Sequence, residues 1–214
     1  MVFFIDLDGT LVDSLPLLYD IYCQFLARYG VKGTPEEFAQ INGPSLKEGI
    51  AFLKEKHSLP DEVHSLFMES MQAIGERYRH EVQLFDGAAE FLEEVKSQGG
   101  KIALVTSADG ASAKAILERC GIASAFDALI SSDGLLKAKP DPAIYNKALE
   151  IMNAQPGDAF AIEDAPNGVL AAQRAELPVI WMTHRPSTEK VGDILAQVHS
   201  WDEARNLLPT ILGK

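Results

Sequence analysis

The chain has few cysteines, few cations and no long apolar run. Cys23 and Cys120 are its only cysteines, too few for a disulfide framework and without metal-ligand spacing, so we expect two reduced thiols. Lysine and arginine number 19 against 31 aspartates and glutamates, a net charge of −12, which argues against unspecific binding to nucleic acid or anionic membranes. No stretch approaches the ~18 apolar residues of a membrane span. Because Asp6 interrupts the N-terminal apolar run, we expect no signal peptide and a cytoplasmic location.

The pattern of apolar residues divides the chain into two parts. Residues 14–82 show helical patterns only. From residue 86 onward, short apolar runs typical of buried strands alternate with amphipathic helices, which indicates a parallel sheet covered on both faces. We therefore predict an α/β fold in which residues 1–13 and 83–214 form a Rossmann-like parallel sheet core. The inserted residues 14–82 are predicted to form an all-helical cap domain directly after the first strand.

Several helices have recognisable start signals. The segment Thr34-Pro35-Glu36-Glu37 combines a capping box with proline at the first helical position. The pairs Ser45 with Glu48 and Ser200 with Glu203 have the same spacing and predict two more helix starts.

The N-terminal segment Val2–Leu11 carries the strongest functional signal. Its first four residues, Val-Phe-Phe-Ile, are β-branched or aromatic and predict a short buried strand. Asp6 and Asp8 follow where this strand must end, and Gly9 begins a turn. Buried carboxylates are costly unless a cation compensates them. This pair therefore indicates either a metal site or a nucleophile with its proton-transfer partner.

Other polar residues also follow predicted strands. In an open α/β sheet, ligands bind beyond the carboxyl ends of the strands, so these side chains are expected to converge on one site. They are Asp6, Asp8, Thr106, Ser107, Lys139, Glu163 and Asp164. Four carboxylates in one place oppose each other's ionisation, and Mg²⁺, which prefers oxygen ligands, would relieve that repulsion. The absence of histidine and cysteine from this set disfavours zinc.

The set is also suited to phosphate chemistry. A carboxylate that attacks a phosphate dianion meets charge repulsion, which Lys139 and a metal ion can screen. The Thr106 hydroxyl and neighbouring backbone N–H groups can hold the remaining phosphoryl oxygens.

Four motifs, in this order, resemble the haloacid dehalogenase-like superfamily of phosphotransferases. They are Asp6-Leu-Asp8-Gly-Thr10, Thr106 at a strand end, Lys139-Pro140, and Glu163-Asp164. Surrounding segments, such as Lys139-Pro-Asp-Pro142 and Glu163-Asp-Ala-Pro-Asn-Gly168, resemble the branch with phosphoglycolate phosphatases, sugar phosphatases and β-phosphoglucomutases. The likeness covers essentially the whole chain, and the helical insertion stands where that family places its first-type cap.

The resemblance implies a role for each matching residue. Asp6 would attack phosphorus and form an aspartyl-phosphate, and Asp8 would protonate the leaving oxygen and then activate water. Thr106, Ser107 and Lys139 would bind the phosphoryl group. Mg²⁺ would be held by the Asp6 carboxylate, the Asp8 backbone carbonyl and Asp164, with Glu163 close by.

The cap allows fewer assignments. The segment 42–47 resembles the loop that such caps lower over the site, so Lys47 is a candidate for contacting the distal group of the substrate. A solvated helix lysine is the competing interpretation. Solvation is likewise the favoured interpretation for His184 and Arg185, which follow the last clear strand, whereas Trp181 and Trp201 are expected to pack. Glu176 stands where relatives usually have glycine, so we expect a different exit from the preceding helix.

These observations lead to one functional prediction and two alternatives. We predict a Mg²⁺-dependent phosphatase acting on a small phosphorylated metabolite, a sugar phosphate or phosphoglycolate. A β-phosphoglucomutase-like mutase is the first alternative, although family mutases carry a histidine where this chain has Leu18. A binding or regulatory protein without turnover is the second. The sequence leaves the oligomeric state open, with a monomer favoured.

Overall fold

The structure is a computed structural model that describes residues 1–42, 46–133, 137–184 and 191–213. The predicted helix-starting role of Ser45 therefore lies outside the described residues. The described chain divides into two compact units, Met1–Asp13 with Gln83–Lys214, and Ser14–Val82. None of the described helices is both long enough and apolar enough to cross a membrane.

The first unit is built on a six-stranded sheet. In chain order the strands are β1 Val2–Ile5, β2 Val12–Asp13, β3 Gln83–Leu84, β4 Lys101–Thr106, β5 Ala128–Ser131, β6 Ala159–Glu163, β7 Val179–Met182 and β8 Ala196–Val198. The sheet order is β5-β4-β1-β6-β7-β8, and every neighbouring pair in it is parallel. The remaining two strands, β2 and β3, form a separate antiparallel pair. The predicted Rossmann-like parallel sheet is thus confirmed.

The helices follow the predicted alternation. They are α1 Leu15–Ala27, α2 Pro35–Ile41, α3 Leu46–His57, α4 Val63–Glu81, α5 Ala88–Ser97, α6 Gly110–Arg119, α7 Ala143–Met152, α8 Pro166–Arg174 and α9 Trp201–Ile211. In the described part of the chain, the second unit contains only α1 to α4, and helices α5 to α9 belong to the unit with the sheet.

Burial explains why the central strands are almost wholly apolar. All four residues of β1 are buried, and five of the six residues of β4 are buried. The ring of Phe3 packs against those of Phe91 and Phe160, while Phe4 lies 6.3 Å from Tyr145 between ring centroids. Successive residues of a strand face opposite sides of the sheet, so β1 contributes to packing on both faces. Because β1 is held by packing on both faces, the position of Asp6, the residue that follows the strand, is fixed as well.

Among its described residues, the helical unit has an apolar core of its own and one buried acid, Glu37. The Glu37 carboxylate lies 2.6 Å from the Tyr22 hydroxyl, 2.9 Å from His57 Nε2 and 2.7 Å from Lys56 Nζ. Burial alone would raise the pKa of this carboxyl, but these three partners outweigh burial and lower the pKa of Glu37 to about 2. The predicted capping box is therefore only half formed. Thr34 Oγ1 accepts from the Glu37 backbone N–H at 3.2 Å, whereas the Glu37 side chain turns into the unit.

Two helix ends test the remaining expectations. Ser200 Oγ accepts from the backbone N–H of Glu203, as predicted for the start of α9. The expectation of a different exit after α8 is wrong. Glu176 adopts the left-handed conformation with a φ of 62°, and the Leu177 backbone N–H donates to the Ala172 carbonyl at 3.0 Å. This is the usual glycine-type end of a helix, built here with a glutamate.

Candidate active site

Three neighbouring strands of the sheet end in polar residues. Asp6 directly follows β1, Thr106 ends β4, and Glu163 ends β6. The strands β4 and β6 lie on either side of β1, and the Asp6 backbone N–H donates to the Ile162 carbonyl at 3.0 Å, which holds Asp6 in register with β6. The carboxyl ends of parallel strands share one edge of a sheet, so the predicted convergence follows from the strand order.

Lys139 joins two of these carboxylates. Its Nζ lies 2.6 Å from Asp6 Oδ1 and 2.6 Å from Glu163 Oε1, and it also donates to the Val105 carbonyl at 3.2 Å. These three acceptors match the three donors of an ammonium group. Burial alone lowers the pKa of Lys139, but the two carboxylates outweigh burial and raise the pKa above its ordinary value. Lys139 is therefore a buried cation held against Asp6.

An acidic cluster lies beside this lysine. Asp6, Glu163 and Asp164 each offer an oxygen, and these oxygens lie within 4.8 Å of one another. Burial and the nearby Asp6 charge raise the pKa of Glu163 to about 7, although Lys139 and Tyr145 oppose that rise. Burial likewise raises the pKa of Asp164 well above its ordinary value, with Asp6 and Glu163 adding to the effect. The cluster is thus a set of hard oxygen donors that repel each other, a donor set that fits a divalent cation.

The turn after Asp6 shapes the same cluster. Asp8 is half-buried, and its charge contributes to the raised pKa of Asp164. Gly9 has a φ of 75°, and a Cβ atom placed there would lie 2.1 Å from Asp164 Oδ2. Thr10 Oγ1 donates to Asp164 Oδ1 at 3.3 Å. Glycine is therefore required here for its backbone conformation and for the room it leaves to Asp164.

The two predicted phosphate-binding hydroxyls differ in exposure. Thr106 is buried, and its Oγ1 accepts from the Ala108 backbone N–H at 3.0 Å. That bond uses the oxygen as an acceptor and leaves the hydroxyl hydrogen to be donated elsewhere. Ser107 is exposed, and its carbonyl accepts from the Ser132 hydroxyl. Both residues lie directly after the Val105 carbonyl that binds Lys139.

The remaining residues singled out from the sequence do not belong to this cluster. Lys47 lies in α3 of the helical unit and is exposed. In the segment 42–47, residues 43–45 lie outside the described residues, as does Arg185. The interpretation of His184 as a solvated loop residue is wrong, because its ring stacks on Phe85 with centroids 3.5 Å apart and Nε2 lies 3.2 Å from the Thr10 carbonyl.

Three further residues contact the cluster, although the sequence patterns assigned none of them a role there. The Tyr145 hydroxyl donates to Glu163 Oε1, and Trp181 Nε1 donates to the Asp164 carbonyl at 2.7 Å. A Cβ atom at Gly168 would lie 2.0 Å from Glu163 Oε2. The general need of a buried tyrosine hydroxyl for a partner could have singled out Tyr145. No sequence pattern indicated the close approach at Gly168.

Comparisons with known proteins agree with this geometry. A family model described as haloacid dehalogenase-like hydrolase matches residues 2–182. A phosphorylated carbohydrates phosphatase from Thermotoga maritima is 31% identical over 176 residues, 82% of either chain. A phosphoglycolate phosphatase from Thiobacillus denitrificans is 30% identical over 94% of this chain and 92% of its own. The crystal structure of a proposed β-phosphoglucomutase from Thermotoga maritima superimposes with a TM-score of 0.81 at 28% identity, covering 98% of both chains. The resemblance carried by the four motifs is thereby confirmed, and the chain belongs to the haloacid dehalogenase-like hydrolases.

Proposed function

We propose that this hydrolase is a Mg²⁺-dependent phosphatase of small phosphorylated metabolites, sugar phosphates or phosphoglycolate, and that it acts through an aspartyl-phosphate on Asp6. The observation that carries the proposal is the buried ammonium of Lys139, held 2.6 Å from Asp6 Oδ1 beside the acidic cluster. Such a cation can screen the approach of a carboxylate to a phosphate dianion. The phosphatases among the relatives described above support the same reaction class.

Asp6 and Asp8 would divide the chemistry between them. A carboxylate oxygen of Asp6 forms a bond to phosphorus while the bond from phosphorus to the leaving oxygen breaks, and Asp8 gives its proton to that oxygen. In the second half, Asp8 takes a proton from water as the water oxygen bonds to phosphorus. The bond from Asp6 to phosphorus then breaks, which releases inorganic phosphate and restores the carboxylate.

The other residues would bind and orient the phosphoryl group. Thr106 can donate its hydroxyl hydrogen to a phosphoryl oxygen, and the exposed Ser107 directly follows the same strand. Asp6, Glu163, Asp164 and the Asp8 backbone carbonyl are the groups proposed to hold Mg²⁺. When bound, Mg²⁺ would neutralise charge on the transferring phosphoryl group.

The helical unit 14–82 is proposed to be the cap of this family and to select the substrate, with Lys47 contacting its distal group. If it does, Lys47→Ala should raise KM for a natural substrate and leave turnover of p-nitrophenyl phosphate, which lacks such a group, unchanged.

The experiment that tests the function measures phosphate release from a panel of phosphorylated sugars, hexitols and phosphoglycolate, with and without Mg²⁺. Asp6→Asn should abolish release, whereas Asp158→Asn, the same change at an exposed aspartate, should not. Borohydride reduction during turnover should convert residue 6 to homoserine, detectable by mass spectrometry. A wild-type protein inert on the whole panel, or an active Asp6→Asn variant, would refute the proposal.

A mutase is the second candidate, supported by the structural match to a proposed β-phosphoglucomutase. Leu18, half-buried in α1, brings no acid–base group to the position where family mutases have histidine. With β-glucose 1-phosphate as substrate, we expect free phosphate rather than glucose 6-phosphate. Conversion to glucose 6-phosphate faster than phosphate release would favour the mutase.

A further inference from the structure

Neighbouring groups lie against both oxygens of the Glu163 carboxylate. Oε1 lies 2.6 Å from Lys139 Nζ and also accepts from the Tyr145 hydroxyl. Oε2 lies against Gly168, where a Cβ atom would come within 2.0 Å of it. Glu163 is only 1% exposed. Its orientation is therefore determined by its neighbours rather than by solvent.

Tyr145 contacts both members of the pair formed by Lys139 and Glu163. Its side chain is fully buried, and the Lys139 ammonium lies 5.5 Å from the centroid of its ring, within the range of a cation–π interaction. The Tyr145 hydroxyl is the donor in its contact with Glu163, because an ionised carboxylate can only accept.

We propose that Tyr145 is a positioning residue for phosphoryl transfer: its hydroxyl orients Glu163 and its ring supports Lys139, so that the ammonium group stays on Asp6. Tyr145 acts through these two side chains, and among the described residues no hydrogen bond joins it to Asp6. The catalytic consequence rests on the proposed function, whereas the positioning itself is a property of the fold and can be measured without turnover.

The chain offers a matched control for removing the hydroxyl. Tyr22 in α1 is 5% exposed and its hydroxyl lies 2.6 Å from the buried Glu37. Tyr145→Phe and Tyr22→Phe thus both delete a bond from a buried phenol to a buried carboxylate, and each keeps an aromatic ring in place. Tyr22→Phe also removes the acceptor of the Thr34 backbone N–H, which donates to the Tyr22 hydroxyl at 3.1 Å. Only the first deletion occurs beside Asp6 and Lys139.

The experiment combines kinetics with a measurement on Lys139 itself. For Tyr145→Phe we expect kcat on p-nitrophenyl phosphate to fall about tenfold, the order expected when a hydrogen bond to a charged group is lost, with KM within about twofold because Tyr145 is not proposed to touch substrate. Nitrogen-15 NMR of the lysine ammonium groups, with Lys139→Met to assign the signal, should show a slowly exchanging Lys139 in the wild type. Its exchange should become at least about tenfold faster in Tyr145→Phe.

Tyr22→Phe should leave both kcat and Lys139 exchange within about twofold of the wild type, although its melting temperature falls about as much as that of Tyr145→Phe. Unchanged kcat and unchanged Lys139 exchange in Tyr145→Phe would overturn the proposal, and so would equal losses of kcat in the two variants. If the wild type hydrolyses nothing, the proposed function fails. The exchange of Lys139 then decides the role of Tyr145 alone, with faster exchange supporting it and unchanged exchange refuting it.

Discussion

Replacing Gly168 by alanine would put a methyl group where the Glu163 carboxylate lies. The ideal Cβ position is 2.0 Å from Oε2 and 2.5 Å from Oε1, whereas real contacts of a Cβ atom are essentially never shorter than 3.0 Å. The carboxylate must therefore move by about 1 Å, which is enough to lengthen a hydrogen bond beyond its useful range. Glu163 cannot move outward into solvent because it is buried, so its bond with Lys139 at 2.6 Å has to change.

Two opposing energies decide the effect of Gly168→Ala on stability. Alanine in place of glycine favours a helix by up to about 1 kcal/mol. Weakening the bonds to a buried charged group destabilises the protein by about 1.5–3 kcal/mol. We therefore expect the free energy of unfolding to fall by about 0.5–2 kcal/mol. A displacement of 1 Å in a catalytic arrangement can lower the rate about 100-fold, and we expect a fall in kcat of that order.

The matched control is Gly75→Ala in α4. A Cβ atom at Gly75 would meet only the Arg79 guanidinium, at 3.7 Å, so the helix-favouring term acts alone and the free energy of unfolding should rise by about 0.5–1 kcal/mol. Both variants are compared with the wild type by urea unfolding and by kcat on p-nitrophenyl phosphate with saturating Mg²⁺. A Gly168→Ala protein that is as active as the wild type and as stable as Gly75→Ala would refute the reasoning.

Three further predictions follow from positions described above. Gly9→Ala should weaken Mg²⁺ binding at least about tenfold by isothermal titration calorimetry, because the new methyl group displaces Asp164 and the backbone is left-handed; unchanged affinity would place the metal elsewhere. Glu176→Gly should raise the free energy of unfolding by about 0.5–1 kcal/mol. Glycine relieves the left-handed strain at a φ of 62°, and this gain exceeds the cost of the greater conformational entropy that glycine gives the unfolded chain. A lower free energy of unfolding in urea would show that no strain is present. The pKa of Glu37 is lowered in the folded state to about 2, so its stabilising contribution is complete above its ordinary pKa and is lost as the pH falls toward 2. Unfolding free energy measured between pH 5 and pH 2 should therefore decline less steeply in Glu37→Gln than in the wild type, and equal slopes would contradict this account.

The elements that sequence reasoning located best are those whose pattern is set by burial. The run Lys101–Thr106, one of the apolar runs that follow residue 86, forms a strand, because a central parallel strand is apolar on both faces and ends where the chain becomes polar. The two-residue strands β2 and β3 and the edge strand β8 were missed, since their pairing depends on contacts between distant segments and leaves little periodicity.

The acidic cluster was predictable for a different reason. Asp6 and Glu163 follow apolar runs directly, so the expectation that strand ends meet at one edge brings them together. Tyr145 and Gly168 were not predicted, because a buried helix face looks the same in sequence whether or not it contacts a functional carboxylate. His184 was misjudged because stacking on Phe85 comes from tertiary contact, which a loop sequence does not reveal.

The antiparallel pairing of β2 with β3 has a consequence for how this chain can be rearranged. Asp13 and Gln83 are direct partners in that pair. The chain therefore leaves the unit with the sheet before residue 14 and returns to it after residue 82 at two adjacent positions. Antiparallel neighbours can be joined by a two-residue turn. A designer could therefore excise all of residues 14–82, or insert a foreign module between Asp13 and Gln83, without changing the order of the strands in the sheet.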